Sequence, residues 1–286
     1  VHQEIEFVTD RKPILVVYHG NCADGWTAAW AAWLKFGDAA DYQDAHYPPT
    51  ADFDVDGREV YFLDYCPTRE KILNFVARAK SLRVIDHHKT AEEICKGFGF
   101  ATFDMNKSGA GLAWGVFHQD IPRQRIIDYV EDRDLWRWKL PDSKEVNAYI
   151  QSMPRDNFNN WSGLADVIAL NPKLAVETGK ALLRFEQLNV DSCKASVRSL
   201  VFCGYDNVPV VNVNGANASV LLNQLARSNY FAVGWYQDAD GRFRYSMRAH
   251  GDFDVAKIAE KFGGGGHKLA AGFTSERPPW ELSGVV

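Results

Sequence analysis

Apolar residues in this chain fall into short unbroken runs, separated by stretches of helical spacing. ILVVY (14–18), VYFLDY (60–65) and LRVID (82–86) are β-rich and nearly continuous in apolar residues, the pattern of strands buried on both faces. Between them, ADGWTAAWAAWLKFG sets Ala and Trp at helical intervals and stops at Gly37, a C-cap residue. PTREKILNFVARAK predicts a second helix with Pro67 near its start. Strand and helix alternate, which predicts a parallel sheet with crossover helices. Further helices are expected over 108–118, with Ser108 as N-cap, and over 123–131.

From 158 to about 200 the spacing is mostly helical and reads as a connecting segment. A second α/β pattern follows. VPVVNVN (208–214) predicts a strand and ASVLLNQLARS a helix. YFAVGWYQ and RFRYSMRA flank the turn DADG and predict a hairpin, and VAKIAEKF predicts a helix running into GGGGH. The expectation is an α/β protein with a parallel-sheet domain over 1–180, a helical connector over 181–200 and a smaller α/β domain over 201–286. A cleft is expected between the domains.

Composition narrows the classes. With 46% hydrophobic residues in 286, the chain can fill one or two ordinary cores. No apolar stretch reaches the roughly 18–20 residues of a membrane helix. VHQEIEFVTDRK is too polar for a signal peptide. The five Cys are irregularly spaced with no CxxC pair, which predicts free thiols and a cytoplasmic setting without a membrane partner. The net charge of −5 disfavours a groove gripping long nucleic acid and favours a small anionic substrate.

The chemistry concentrates at the strand ends. The first strand runs into HGNCADG, with His19, Asn21 and Asp24. The second ends at Asp64, and the third in Asp86-His87-His88. Ligands of open parallel sheets bind outside these carboxyl ends. A further acid pair, Asp132 and Asp134, follows in YVEDRDLWRW. Taken singly, each residue has an ordinary reading: a structural His, or a helix cap at Asp24 or Asp64. Their recurrence at successive strand ends favours a His/Asp metal site of the kind that suits Mn²⁺ or Mg²⁺, with enough acids for two ions. A second cluster, FGGGGHKLAAGF (262–273), lets backbone N–H groups approach a phosphate. Arg248 in SMRAH is a candidate for a forked contact to the same group, or a surface charge. Trp136 and Trp138 are candidates for base stacking or for packing.

In these motifs the chain resembles the DHH phosphoesterases, from the His…Asp-Gly loop and the Asp-His-His strand end to the GGGGHKLAAG of a C-terminal DHH-associated domain. The resemblance covers nearly the whole chain. It implies a Mn²⁺-dependent hydrolase holding two ions, with Mg²⁺ as the alternative metal. In that reading His19, Asp24 and Asp64 hold one ion, and Asp64, His87 and Asp132 the other. His88 faces the scissile phosphate, and Asp86 orients His87. Arg248, Gly264, Gly265, Gly266 and His267 bind the substrate end. The implied substrate is a short oligonucleotide or a dinucleotide, as for the nanoRNases. The alternatives are a RecJ-like single-strand exonuclease, a cyclic-dinucleotide phosphodiesterase and a non-catalytic nucleotide-binding scaffold. A homodimer is compatible with the resemblance. The first loop departs from relatives that carry two Asp separated by one residue. Asn21 or Cys22 stands near the missing acid, and Asn21 is the better match to a hard ion.

Overall fold

The computed structural model describes residues 11–49, 51–213 and 216–283. The chain divides into two units at Leu182/Leu183. In the first, β1 (Ile14–His19), α1 (Ala23–Phe36), β2 (Ala40–Ala45), β3 (Glu59–Leu63), α2 (Arg69–Arg78), β4 (Ser81–Asp86), α3 (Lys89–Cys95) and β5 (Ala101–Phe103) follow in order. The five strands are all parallel, in the order β2-β1-β3-β4-β5. The order reverses between β1 and β3, where a doubly wound sheet opens a crevice for ligands. The three strands expected from the sequence are thus neighbours at the sheet centre.

Both faces of this sheet are covered. Val16, Leu63 and Ile85 point to one core, built with α1, α4 (Gly109–Phe117), α5 (Arg125–Asp134), α6 (Ser143–Ser152) and α7 (Phe158–Leu170). Leu15, Val17, Phe62 and Val84 point to the other, built with α2 and α3. This alternation is the two-residue period of a strand. Every residue of α1 from Ala23 to Ala32 is buried, and its small side chains let α4 pack closely. Gly37 ends α1 at φ +51 and donates its N–H to Trp33 O, and Ser108 caps α4 by accepting from Gly111 N, both as expected. Thr68, not a residue before it, caps α2.

The expected connecting segment is divided differently. Trp161, Leu164 and Ile168 of α7 belong to the first core, and the junction of the two units lies within one helix, α8 (Pro172–Lys194). The second unit contains β6 (Arg198–Phe202), β7 (Tyr205–Asn212), α9 (Ala216–Ala226), β8 (Phe231–Gln237), β9 (Phe243–Ala249), α10 (Ala256–Glu260), β10 (Gly265–His267) and β11 (Ala270–Ser275). They form a mixed sheet, β10-β11-β9-β8-β7-β6. The β8–β9 hairpin turns as expected, with Gly241 at φ +82 and Asp238 Oδ1 accepting from the N–H groups of Asp240 and Arg242. Asn214, the last residue of the strand expected over 208–214, lies outside the described residues.

Candidate metal and substrate site

The ends of β1, β3 and β4 bring His19, Asp64 and the Asp86-His87-His88 run onto one rim. Asp64 sits just past β3 at φ +54, a left-handed backbone that aspartate tolerates better than most residues and that often marks a functional site. Its Oδ2 lies 3.4 Å from His19 Nδ1 and its Oδ1 3.2 Å from His87 Nε2. His87 Nε2 is also 3.4 Å from Asp134 Oδ2 and 3.8 Å from Asp24 Oδ2. Three overlapping groups of metal-type ligand atoms result: Asp64-Asp86-His87-His88, His19-Cys22-Asp64 and Asp24-His87-Asp134.

Helix α4 makes this crowding of acids tolerable. Both oxygens of Asp24, although on α1, accept hydrogen bonds from α4, Oδ2 from Gly109 N at 2.6 Å and Oδ1 from Ala110 N at 2.9 Å. The positive end of the α4 dipole therefore faces the acids. The approach needs a glycine. A Cβ on Gly109 would stand 2.6 Å from Asp64 Cβ and 3.0 Å from Asp24 Oδ2.

Two expected roles change. Asp132 is not in the cluster. Its buried carboxylate accepts from Lys139 N, Leu140 N and the Ser143 hydroxyl, tying the end of α5 to the start of α6. Asp134 takes its place beside His87. It falls seven residues after Ile127 and four after Val130, so it continues the buried stripe of α5, a signal readable in the sequence. Asp86 is also reassigned. Its Oδ1 accepts from His88 Nδ1 at 2.7 Å and from the backbone N–H groups of His87 and His88, so it orients the His88 ring and not that of His87. In the first loop the Cys22 sulfur lies with His19 and Asp64, while Asn21, at φ +57, lines an adjacent cavity. Burial and the surrounding acids push the Cys22 thiol pKa up, which keeps the sulfur protonated in the metal-free protein.

The donor set fits divalent ions. Beyond the imidazole–carboxylate contacts above, the buried atoms His19 Nδ1, Asp64 Oδ1, Asp86 Oδ2 and Asp134 Oδ2 have no well-aligned hydrogen bond among the described residues, a costly arrangement unless a cation is the intended partner. Burial and the Asp134 and Asp64 charges raise the Asp24 pKa, and burial with the Asp64 charge raises that of Asp134. For His87, burial opposes protonation, but Asp64, Asp24 and Asp134 outweigh it and lift the imidazole to about 10. For His88, burial is again outweighed, by Asp86 and Asp64, and its value rises to about 9. In the metal-free protein both imidazoles stabilise the fold in full below their unfolded value of about 6.5, and this is lost as pH climbs through 9 to 10. A ligating imidazole must be neutral. Adding Mn²⁺ at pH 7.5 is therefore expected to release about one proton or more per chain, measured by calorimetry in buffers of different ionisation enthalpy. Absence of release would exclude His87 as a ligand.

In the second unit, Arg248, Ala270 and His267 are aligned side by side across β9, β11 and β10, which puts Arg248 and His267 on one sheet face. The Arg248 guanidinium donates to Ser219 Oγ of α9 at 2.7 Å and to Met247 O at 2.8 Å. It forms no ion pair among the described residues, and burial pulls its pKa down. The glycine run differs from the expected loop. Gly263 N and Gly264 N close the end of α10 by bonding to Glu260 O and Ala259 O, and Gly265, Gly266 and His267 continue as the edge strand β10. Gly264 and Gly266 are needed for packing, because a Cβ would meet Gly272 O at 2.2 Å and Ala270 O at 2.5 Å respectively. Trp136 is exposed two residues beyond Asp134, with Trp138 edge-on to it at 5.0 Å.

Residues 207–281 match the DHHA1 domain. An uncharacterized protein of Acanthamoeba polyphaga mimivirus, R106, is 25% identical over 287 residues, covering 90% of this chain. Oligoribonuclease NrnB of Bacillus subtilis is 24% identical over 236 residues, covering 74% of this chain. The chain spans 66% and 57% of the length of these two relatives. The solved structure of a pGpG-specific phosphodiesterase from Vibrio cholerae shares the fold, at a TM-score of 0.51 and 14% identity over 92% of this chain and 93% of that one. The DHHA1 match of the second unit and the Asp-His-His strand end of the first are together similar to the DHH phosphoesterases.

Proposed function

We propose that the chain is a divalent-metal-dependent phosphodiesterase that hydrolyses short oligonucleotides or dinucleotides. The observation that carries this reading is that the buried Asp64 carboxylate is common to two groups of ligand atoms. A shared carboxylate is what two neighbouring ions require. His19, Asp24, Asp64, His87 and Asp134 would hold Mn²⁺, or Mg²⁺, with Cys22 near the first position. When bound, such ions activate water as a nucleophile and neutralise charge developing on the phosphate.

The chain's own groups supply the rest. Asp24, fixed by two α4 amides, keeps its carboxylate in one orientation. Asp86 holds the His88 ring by Nδ1, so a charged His88 offers Nε2–H to a phosphate or leaving oxygen. Arg248, with no carboxylate partner among the described residues, and His267, two strands away on the same sheet face, suit the phosphate end of a substrate. The substrate class is supported by the names of two similar proteins, an oligoribonuclease and a pGpG-specific phosphodiesterase.

A length ladder tests the reading. Dinucleotides through a twenty-mer, in RNA and DNA, are incubated with Mn²⁺ beside phosphoadenosine phosphate and cyclic dinucleotides. Hydrolysis concentrated on two to four nucleotides is expected. Continued degradation of the twenty-mer would replace it with a RecJ-like exonuclease, and silence with no metal bound would leave a scaffold.

A further inference from the structure

Next to the metal-type residues is a second feature that the phosphodiesterase reading does not use. Gly20 and Asn21, which follow His19 in the first loop, form part of the wall of a cavity of about 220 Å³, completed by Tyr18, Trp26, Asp44 and Arg155. The cavity lies at the ends of β1 and β2, where Gly20 N bonds to Ala45 O.

Its wall carries buried donors that nothing among the described residues satisfies. Trp26 Nε1 and Arg155 Nη1 are both buried atoms without a hydrogen-bond partner. Trp26 is only 6% exposed, and its ring is stacked on Phe158 at 4.4 Å and edge-on to Tyr18 at 5.7 Å, so its N–H direction is fixed. Arg155 forms no ion pair among the described residues. The Trp26 N–H is buried and held in place, the Arg155 side chain is half-buried, and two buried donor atoms without acceptors are costly unless a ligand with oxygen or nitrogen acceptors satisfies them. The wall also holds one acid, Asp44, whose Oδ2 meets His46 Nε2 at 3.0 Å. An anion is a poor match to a wall containing a carboxylate. A neutral group presenting acceptors on one edge and donors on another is a good one.

We propose that this cavity reads a guanine base of the substrate, on the nucleotide adjoining the scissile phosphate; this rests on the phosphodiesterase reading. Guanine offers O6 and N7 to the Arg155 fork and the Trp26 N–H, and its N1–H and N2–H₂ to Asp44. Adenine and cytosine turn an exocyclic amine toward the same donors. Uracil has the right polarity but lacks the second ring that spans the cavity. Asn21, whose amide both donates and accepts, lies at the side of the first loop.

The test uses the full chain and the four 5′-nucleoside monophosphates, with binding measured by titration calorimetry. GMP is expected to bind at least about tenfold tighter than AMP, CMP or UMP, the discrimination a forked base contact provides. Arg155→Met is expected to bring GMP down to the level of AMP while leaving AMP affinity within about twofold, which also shows that the variant is folded. Trp26→Phe, which keeps an aromatic ring against Phe158 and deletes one donor, is expected to lose part of the same preference. Equal binding of all four nucleotides, tighter UMP or AMP, or an Arg155→Met variant that still prefers GMP would overturn the proposal. Wild-type hydrolysis of bis(p-nitrophenyl) phosphate, which has no base, is measured separately. Its failure counts against the phosphodiesterase reading alone, because the guanine preference is read from binding without turnover.

Discussion

Asp64→Asn is expected to reduce Mn²⁺-dependent hydrolysis of a dinucleotide by at least about a thousandfold and to lower the number of ions retained per chain. The substitution keeps the shape of the side chain and takes away the carboxylate charge shared by two ligand groups. In the metal-free protein the Asp64 carboxyl is held below its usual range: burial pushes it up, but His19, His87 and His88 pull it down further. The same change therefore releases His87 from its nearest acid and lowers the His87 pKa toward neutrality. Three readouts should move together: rate, ion count by mass spectrometry and the His87 titration followed by NMR. A variant that retains full activity would remove Asp64 from the site and with it the phosphodiesterase mechanism.

The second large effect separates two acids only two residues apart. Asp134→Asn should cost at least about a hundredfold in rate. The metal-free protein should become more stable by about 1 kcal/mol, because one of several mutually repelling buried carboxylates is gone. Asp132→Ala should do the reverse. It strands the Lys139 and Leu140 N–H groups and the Ser143 hydroxyl, a loss of about 3 kcal/mol in unfolding free energy, while the folded fraction binds ions normally. Denaturant melts of the metal-free variants beside ion titrations at low temperature check both. If Asp132→Ala lost ion affinity without losing stability, the exchange of roles between the two acids would be wrong.

That exchange shows where sequence reading stops. The central strands were legible because strands buried on both faces are continuous in apolar residues, and the His and Asp groups at their ends stand out against such runs. Strand β2, ADYQDA, is an edge strand with a polar outer half, and so carries no such run. Strand β10 is made largely of glycine, which disfavours strands, and at Gly266 its close approach to β11 leaves no room for a Cβ. Asp132 and Asp134 are both plausible ligands by type, and the choice depends on helix phase. Three consecutive residues at a strand end do not fix which imidazole turns back to Asp86, and in the fold it is that of His88. Asp24 stands where a cap for its own helix is expected, and its carboxylate instead accepts from the first amides of α4, 85 residues away in sequence.

The link from Asp24 to α4 also gives the site an internal reporter. The amide protons of Gly109 and Ala110 point at the two oxygens of a carboxylate whose charge changes when Asp24 loses its proton or acquires a cation. Their NMR resonances and solvent-exchange rates should follow occupancy of the rim directly, without substrate, label or turnover. An optical tag cannot sit closer to the chemistry than two backbone amides already bonded to it, so screening of ions, inhibitors or variants can be read from the chain itself.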